Sequence, residues 1–212
     1  MSVEKHIDVT LKTSYRTLNS LKSTTRKIWI VFHGQGQLTE FFLKKFEVLD
    51  PNEHFIIAPQ GLSKYYLNGF TGRVGASWMT KEDRLTEIEN QARYVDAVVE
   101  AELGDHSAEI VLLGFSQGTA TMMRYAKHAQ LTFNKMIVWA GTIPLELTPE
   151  MVVHWSDLQA HFVYGDEDQF DSNGQFDQEH QKFEALIGRP ANKLVFHGKH
   201  EVKAEILGDF NL

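Results

Sequence analysis

The sequence predicts an α/β fold: a doubly wound, mostly parallel sheet with an antiparallel N-terminal hairpin and no large lid domain. Three observations predict it. Short continuous apolar runs, such as Lys27-Ile28-Trp29-Ile30-Val31-Phe32, read as strands buried on both faces. Helix-like segments alternate with those runs along the whole chain. Several runs also end in small or polar clusters, at His33-Gly34-Gln35-Gly36, Ser116, Gly141-Thr142, Asp168 and His200, where an open parallel sheet collects its chemistry. At 212 residues, the chain suits one such domain, taken as residues 1–212.

The elements follow in order. His6 to Leu11 alternates apolar and polar residues, as a half-exposed strand should, and a second strand is expected around Tyr15 to Leu21 to close the hairpin. After the Lys27–Phe32 run, Phe41, Phe42, Leu43, Phe46 and Leu49 suggest a helix stopped by Asp50-Pro51. Phe55 to Pro59 is a further buried strand. Gln60 to Leu85 is aromatic and Gly-rich without a period, and a loop of that length is more often functional than idle. A helix over Thr86 to Leu103 ends at Gly104. The strand Glu109–Leu113 and the helix-favouring segment Thr119–Lys127 come next. The remaining strands are Lys135–Ala140, Leu158–Tyr164 and Leu194–Phe196. Helices are expected over Phe176–Ile187, stopped by Gly188, and over Val202–Leu207, while Leu145–Asp157 has room for a short one.

Composition narrows the function. The net charge of −7, from 21 basic and 28 acidic residues, argues against a nucleic acid as the main partner. Cysteine is absent, which removes disulfides, thiolate metal sites and a cysteine nucleophile. No stretch reads as a signal core or a bilayer span, so the expectation is a cytoplasmic protein with no membrane insertion. Nothing calls for a cofactor. The oligomeric state is open, a homodimer included.

Between the strand and helix around it, Gly114-Phe115-Ser116-Gln117-Gly118 is a G-x-S-x-G pentapeptide in the context of a nucleophile elbow. Side chains at the flanking glycines would collide with neighbouring elements, and the helix beginning there directs its free N–H groups at a developing oxyanion. The same letters also occur as a plain turn with an incidental serine; the strand and helix flanks are what favour the elbow. A serine hydroxyl needs an imidazole to take its proton, and the imidazole needs a carboxylate to orient it. Ten histidines compete for the base. His200, in a loop before the last helix, is favoured over His197, which continues a strand. The spacing His197-x-x-His200 also suits a metal pair, but no third ligand accompanies it. For the acid, Asp168 is favoured, with Asp166 second and Asp171 third. Oxyanion amides are expected from Gln117, the residue after the nucleophile, and from Gln35. His33 is read as holding its turn and not as a second base.

These pieces resemble the phospholipase/carboxylesterase family of α/β hydrolases, which includes acyl-protein thioesterases. The resemblance rests on His33-Gly34-x-Gly36, Gly114-Phe115-Ser116-Gln117-Gly118, Gly165-x-x-Asp168 and Gly198-x-His200, and it runs from about residue 27 to the end. It implies Ser116 as nucleophile, Asp168 as acid, His200 as base, and Gln35 and Gln117 as oxyanion donors. Trp78 looks like the family's tryptophan lining the acyl pocket, with Thr142 and Ile143 expected beside it. Tyr164-Gly165 departs from the family's frequent His-Gly.

The leading expectation is therefore a serine carboxylesterase acting on small to medium carboxylic esters, with a small-molecule ester as its partner. A thioesterase or lysophospholipase is the alternative within the class, and an amidase lies further off. A non-catalytic binding protein on the same scaffold is the alternative of another class, and it would be expected to lack a triad residue.

Overall fold

Every residue of β2 (Lys27–Phe32) and of β3 (His54–Pro59) is buried, which is what their unbroken apolar runs require. The computed structural model describes residues 2–104 and 106–211. Its main sheet has seven strands in the order β1-β3-β2-β6-β7-β8-β9. The other strands are β1 (Tyr15–Leu18), β7 (Lys135–Trp139), β8 (Gln159–Gly165) and β9 (Asn192–Phe196), and β6 (Glu109–Phe115) lies beside β2. All neighbours are parallel except β1, which runs antiparallel to β3 with Tyr15 opposite Pro59.

That edge corrects the expected hairpin. The antiparallel strand exists, but its partner is β3, and residues 6–11 form no strand. Val3, Ile7, Val9 and Leu11 are all exposed, so the alternation in that stretch serves no buried face. Tyr15–Leu18 pairs with β3 and is itself the terminal strand of the sheet.

The other departures are local. The expected helix around residues 41–49 is one α turn, α1 (Thr39–Phe42), followed by a 3-10 turn over Leu43–Phe46. Phe42, Leu43, Phe46 and Leu49 are buried nonetheless. The Gln60–Leu85 segment holds a hairpin of β4 (Ser63–Tyr66) and β5 (Val74–Ser77). All four β4 residues are exposed, so no period marks them. A 3-10 stretch over Pro149–Trp155 fills the segment left open after β7.

The longer helices stand close to their expected bounds: α2 (Arg84–Leu103), α3 (Gln117–His128) and α4 (Gln175–Ile187), with α5 (Ala204–Leu207) near the end. Gly188 caps α4 at φ 69°, a conformation costly for any residue with a Cβ. Helices α2 and α3 pack on each other, and α3 also meets β2 and β6. Strand order reverses between β2 and β6, which are paired with Phe32 opposite Gly114. A crevice at the carboxyl ends of these two strands is where an open α/β sheet places its ligand.

Candidate active site

Ser116 sits between β6 and α3 with φ 53° and ψ −120°, a conformation that costs an L-residue roughly 1–3 kcal/mol. Its N–H donates to Trp139 O at 2.9 Å and its carbonyl accepts from Thr119 N at 3.0 Å, so the turn is anchored on both sides. The glycines are forced by crowding. A Cβ on Gly114 would stand 2.5 Å from Thr119 Cα, and one on Gly118 would stand 2.2 Å from Phe32 O. The strand and the first turn of α3 can approach this closely only because neither residue has a side chain.

Three residues past the end of β8, Asp168 turns back toward the loop after β9. Its carboxylate is fully buried and accepts from His200 Nδ1 at 2.6 Å through Oδ2. Oδ1 accepts the Phe170 N–H at 2.9 Å, which fixes the carboxylate plane. The His200 ring lies against Phe115 at 4.8 Å and meets Phe170 edge-on at 4.6 Å. Phe115 immediately precedes Ser116, so the imidazole packs on the elbow itself. Among the described residues no hydrogen bond joins Ser116 Oγ to His200; in ligand-free sites such bonds often tighten only on substrate binding.

The rival residues form other contacts. His197 is exposed and faces Asp166 at 3.3 Å. Asp171 Oδ1 accepts from Phe176 N at 2.7 Å in the first turn of α4. The two histidines therefore face separate carboxylates and do not share one ligand set.

His33 is wholly buried at the end of β2. Its Nε2 accepts from Gly61 N at 3.0 Å, so Nδ1 carries the proton and donates to Gly34 O at 2.8 Å. Burial pulls its pKa down to about 4, against a smaller upward pull from the Gly34 bond, and the ring is neutral at pH 7. It is a strut for the turn. Gly36 N donates to Ala76 O and Gln37 N to Gly34 O, whereas the Gln35 N–H has no acceptor among the described residues. Gln117 opens α3, where the helix provides no carbonyl for its N–H. Its side chain accepts from Trp78 N at 3.0 Å and donates to Met79 O at 2.9 Å, tying the elbow to the segment after β5.

Three expected pocket residues lie elsewhere. Trp78 is 1% exposed, stacks on His33 at 4.9 Å and donates its indole N–H to His33 O at 2.8 Å. It supports the turn after β2 and is not among the residues lining the cleft at His200. Ile143 is buried and its N–H donates to Glu179 Oε2 at 2.7 Å, beside a separate hollow bounded by Leu145 and α4. Thr142 is exposed and borders neither that hollow nor the cleft at His200.

That cleft, about 520 Å³, is walled instead by Leu38, Phe41 and Phe42 from the α1 region and by Val74 from β5, with His200 at one side. Sequence reasoning missed these walls and Phe170. The signal for Phe170 was its place two residues past Asp168. No pattern marked α1 as a wall.

A reversing parallel sheet, a serine on a strained strand-to-helix turn and a buried Asp–His pair at the same sheet edge define an α/β hydrolase. The sequence pattern of the phospholipase/carboxylesterase family matches residues 14–211, and the chain belongs to that family of serine hydrolases acting on carboxylic esters. Solved structures agree on the fold. Acyl-protein thioesterase 2 of Zea mays superposes with a TM-score of 0.68 at 16% identity, covering 93% of this chain and 95% of its own. A carboxylesterase from Mesorhizobium loti gives 0.67 at 15%, covering 92% of both chains. Esterase PE8 gives 0.64 at 18%, covering 94% of this chain and 98% of its own. No curated protein matches the sequence. Among the described residues no helix is long and apolar enough to cross a membrane.

Proposed function

We propose that the chain hydrolyses small to medium carboxylic esters through a covalent acyl-enzyme. Ser116 Oγ attacks the ester carbonyl while His200 Nε2 takes its proton. Asp168, bonded to Nδ1, holds the tautomer that leaves Nε2 free and stabilises the imidazolium that forms. The Gln35 and Gln117 amides receive the oxyanion. His200 then protonates the departing alkoxide, and water repeats the sequence to release the acid. The observation that carries this reading is the 2.6 Å bond from His200 to a fully buried Asp168, with the same imidazole packed on the residue before Ser116. Orientation of the imidazole is the step a surface Asp–His pair could not secure.

The walls of the cleft support an apolar acyl group: Leu38, Phe41, Phe42, Val74 and Val202 line about 520 Å³, within the range of small-molecule sites. On the sequence alone, the enzyme is assigned to the cytoplasm.

The test is p-nitrophenyl ester hydrolysis across acyl lengths from acetate to palmitate, for wild type and Ser116→Ala. Turnover peaking at short chains and lost in the variant is the expected result. A peak at long chains would move the assignment to a thioesterase or lysophospholipase. Full activity in Ser116→Ala would remove the serine mechanism altogether.

A further inference from the structure

The cleft at His200 is apolar along its walls, yet two cations border it from different elements. Lys45 comes from the 3-10 turn after α1, and Arg73 from the tip of the β4–β5 hairpin just before Val74. Both are exposed, and neither has an acidic partner within salt-bridge distance among the described residues. The exposed Lys44 adds a third positive charge nearby, 5.4 Å from the ring centroid of Phe41. One carboxylate also borders the cleft, that of Glu201. Its Oε1 is turned toward Gly198, lying 3.4 Å from where a Cβ on that residue would stand. Elsewhere the chain is acidic, with a net charge of −7, and arginines such as Arg16, Arg84 and Arg124 are paired with glutamates. Two cations without an acidic partner thus border one apolar cleft on a chain whose net charge is negative.

We propose that this cleft takes esters that carry a carboxylate at the far end of a short apolar segment, such as half-esters of dicarboxylic acids. The inference rests on the esterase reading of Ser116 and His200. The apolar walls hold the methylene segment with the ester carbonyl toward His200. The far carboxylate then lies at the mouth, where the planar guanidinium of Arg73 accepts it on two parallel N–H groups and Lys45 supplies a second charge. A neutral ester of the same length gains the apolar contact alone. Because the cations are exposed, each contributes modestly and the effect is screened by salt.

The experiment measures affinity in Ser116→Ala protein, so that no turnover is required, with monomethyl adipate and dimethyl adipate as probes. Calorimetry is expected to show the half-ester binding roughly five- to tenfold more tightly at low salt, in line with two exposed charge contacts. That advantage is expected to shrink at high salt and to vanish when Lys45→Gln and Arg73→Gln are added, with circular dichroism confirming the fold. Equal affinity for the two esters, no binding of either, or a preference that survives the added changes overturns the proposal. Hydrolysis of both esters by the wild type is followed in parallel. If the wild type cleaves dimethyl adipate while the affinities are equal, the esterase reading stands and only the carboxylate preference falls. If binding follows the cations but the wild type cleaves nothing, the esterase reading falls.

Discussion

At the scale of single residues, the site is a set of choices between chemically equivalent neighbours. Asp166 and Asp168 are two positions apart, and each meets a histidine; what separates them is burial. Asp166 is largely in water, where an ion pair contributes little, whereas Asp168 has no exposed side-chain surface and can hold its partner in one orientation. Asp168→Asn would keep the volume but turn a hydrogen-bond donor toward His200 Nδ1, favouring the wrong tautomer. We expect kcat for a p-nitrophenyl ester to fall about a thousandfold or more, with little change in KM. Asp166→Asn should leave kcat within about twofold, since it removes only a solvated pair. Comparable losses in the two variants would mean that the buried pair is structural.

Elements fail or persist by how closely they approach one another. The elbow depends on β2, β6 and α3 meeting without side chains at Gly114 and Gly118. Gly118→Ala would place its Cβ 2.2 Å from Phe32 O, a backbone atom that cannot rotate away. A shift of α3 or β2 must follow, and a loss of at least about 3 kcal/mol is expected in urea unfolding. An unchanged midpoint would show that the helix start has more freedom than these distances allow. The N-terminal arm is the opposite case. Residues 2–11 form no ladder, expose their apolar side chains and touch the body through exposed pairs such as His6–Asp83 and Asp8–Arg93. Deleting them should cost less than about 1 kcal/mol, read as an unfolding midpoint close to that of the full chain. The alternating pattern alone would have predicted the loss of a strand.

For the whole molecule, a histidine kept neutral inside the fold makes stability depend on pH. His33 has its pKa lowered from 6.5 to about 4, so between those values the unfolded chain binds a proton that the native state refuses. Stability therefore rises with pH through this window; it is complete above about pH 6.5 and falls as the solution is acidified toward pH 4. The full effect is about 3 kcal/mol and the part lost by pH 5 about 2 kcal/mol. His161, also lowered to about 4 by burial and then by the charge of Lys135, acts in the same direction. Denaturant unfolding at pH 7 and pH 5 tests this, and a chain equally stable at both would show that His33 is hydrated or protonated in the folded state.

What the sequence determined by itself was whatever local chemistry forces. Continuous apolar runs call for burial within a sheet, which fixed six strand positions near their observed places, and paired glycines around a serine have to mark a close approach. The order of serine, aspartate and histidine after β6, β8 and β9 is legible in the same punctuation. Tertiary structure alone decided which partners meet. Residues 6–11 carry a strand pattern, yet they pair with no strand and expose Ile7, Val9 and Leu11, whereas Tyr15–Leu18 pairs with β3. Trp78 has the composition of a pocket wall, yet the nearest acceptor for its indole N–H is His33 O, which draws it beneath the turn. Strand β4 and the cations at Lys45 and Arg73 are exposed and leave no periodic trace, because burial is what writes a period into a sequence. Pairing and proximity are properties of a folded surface, and an amino-acid pattern records only that a residue is buried, not against what.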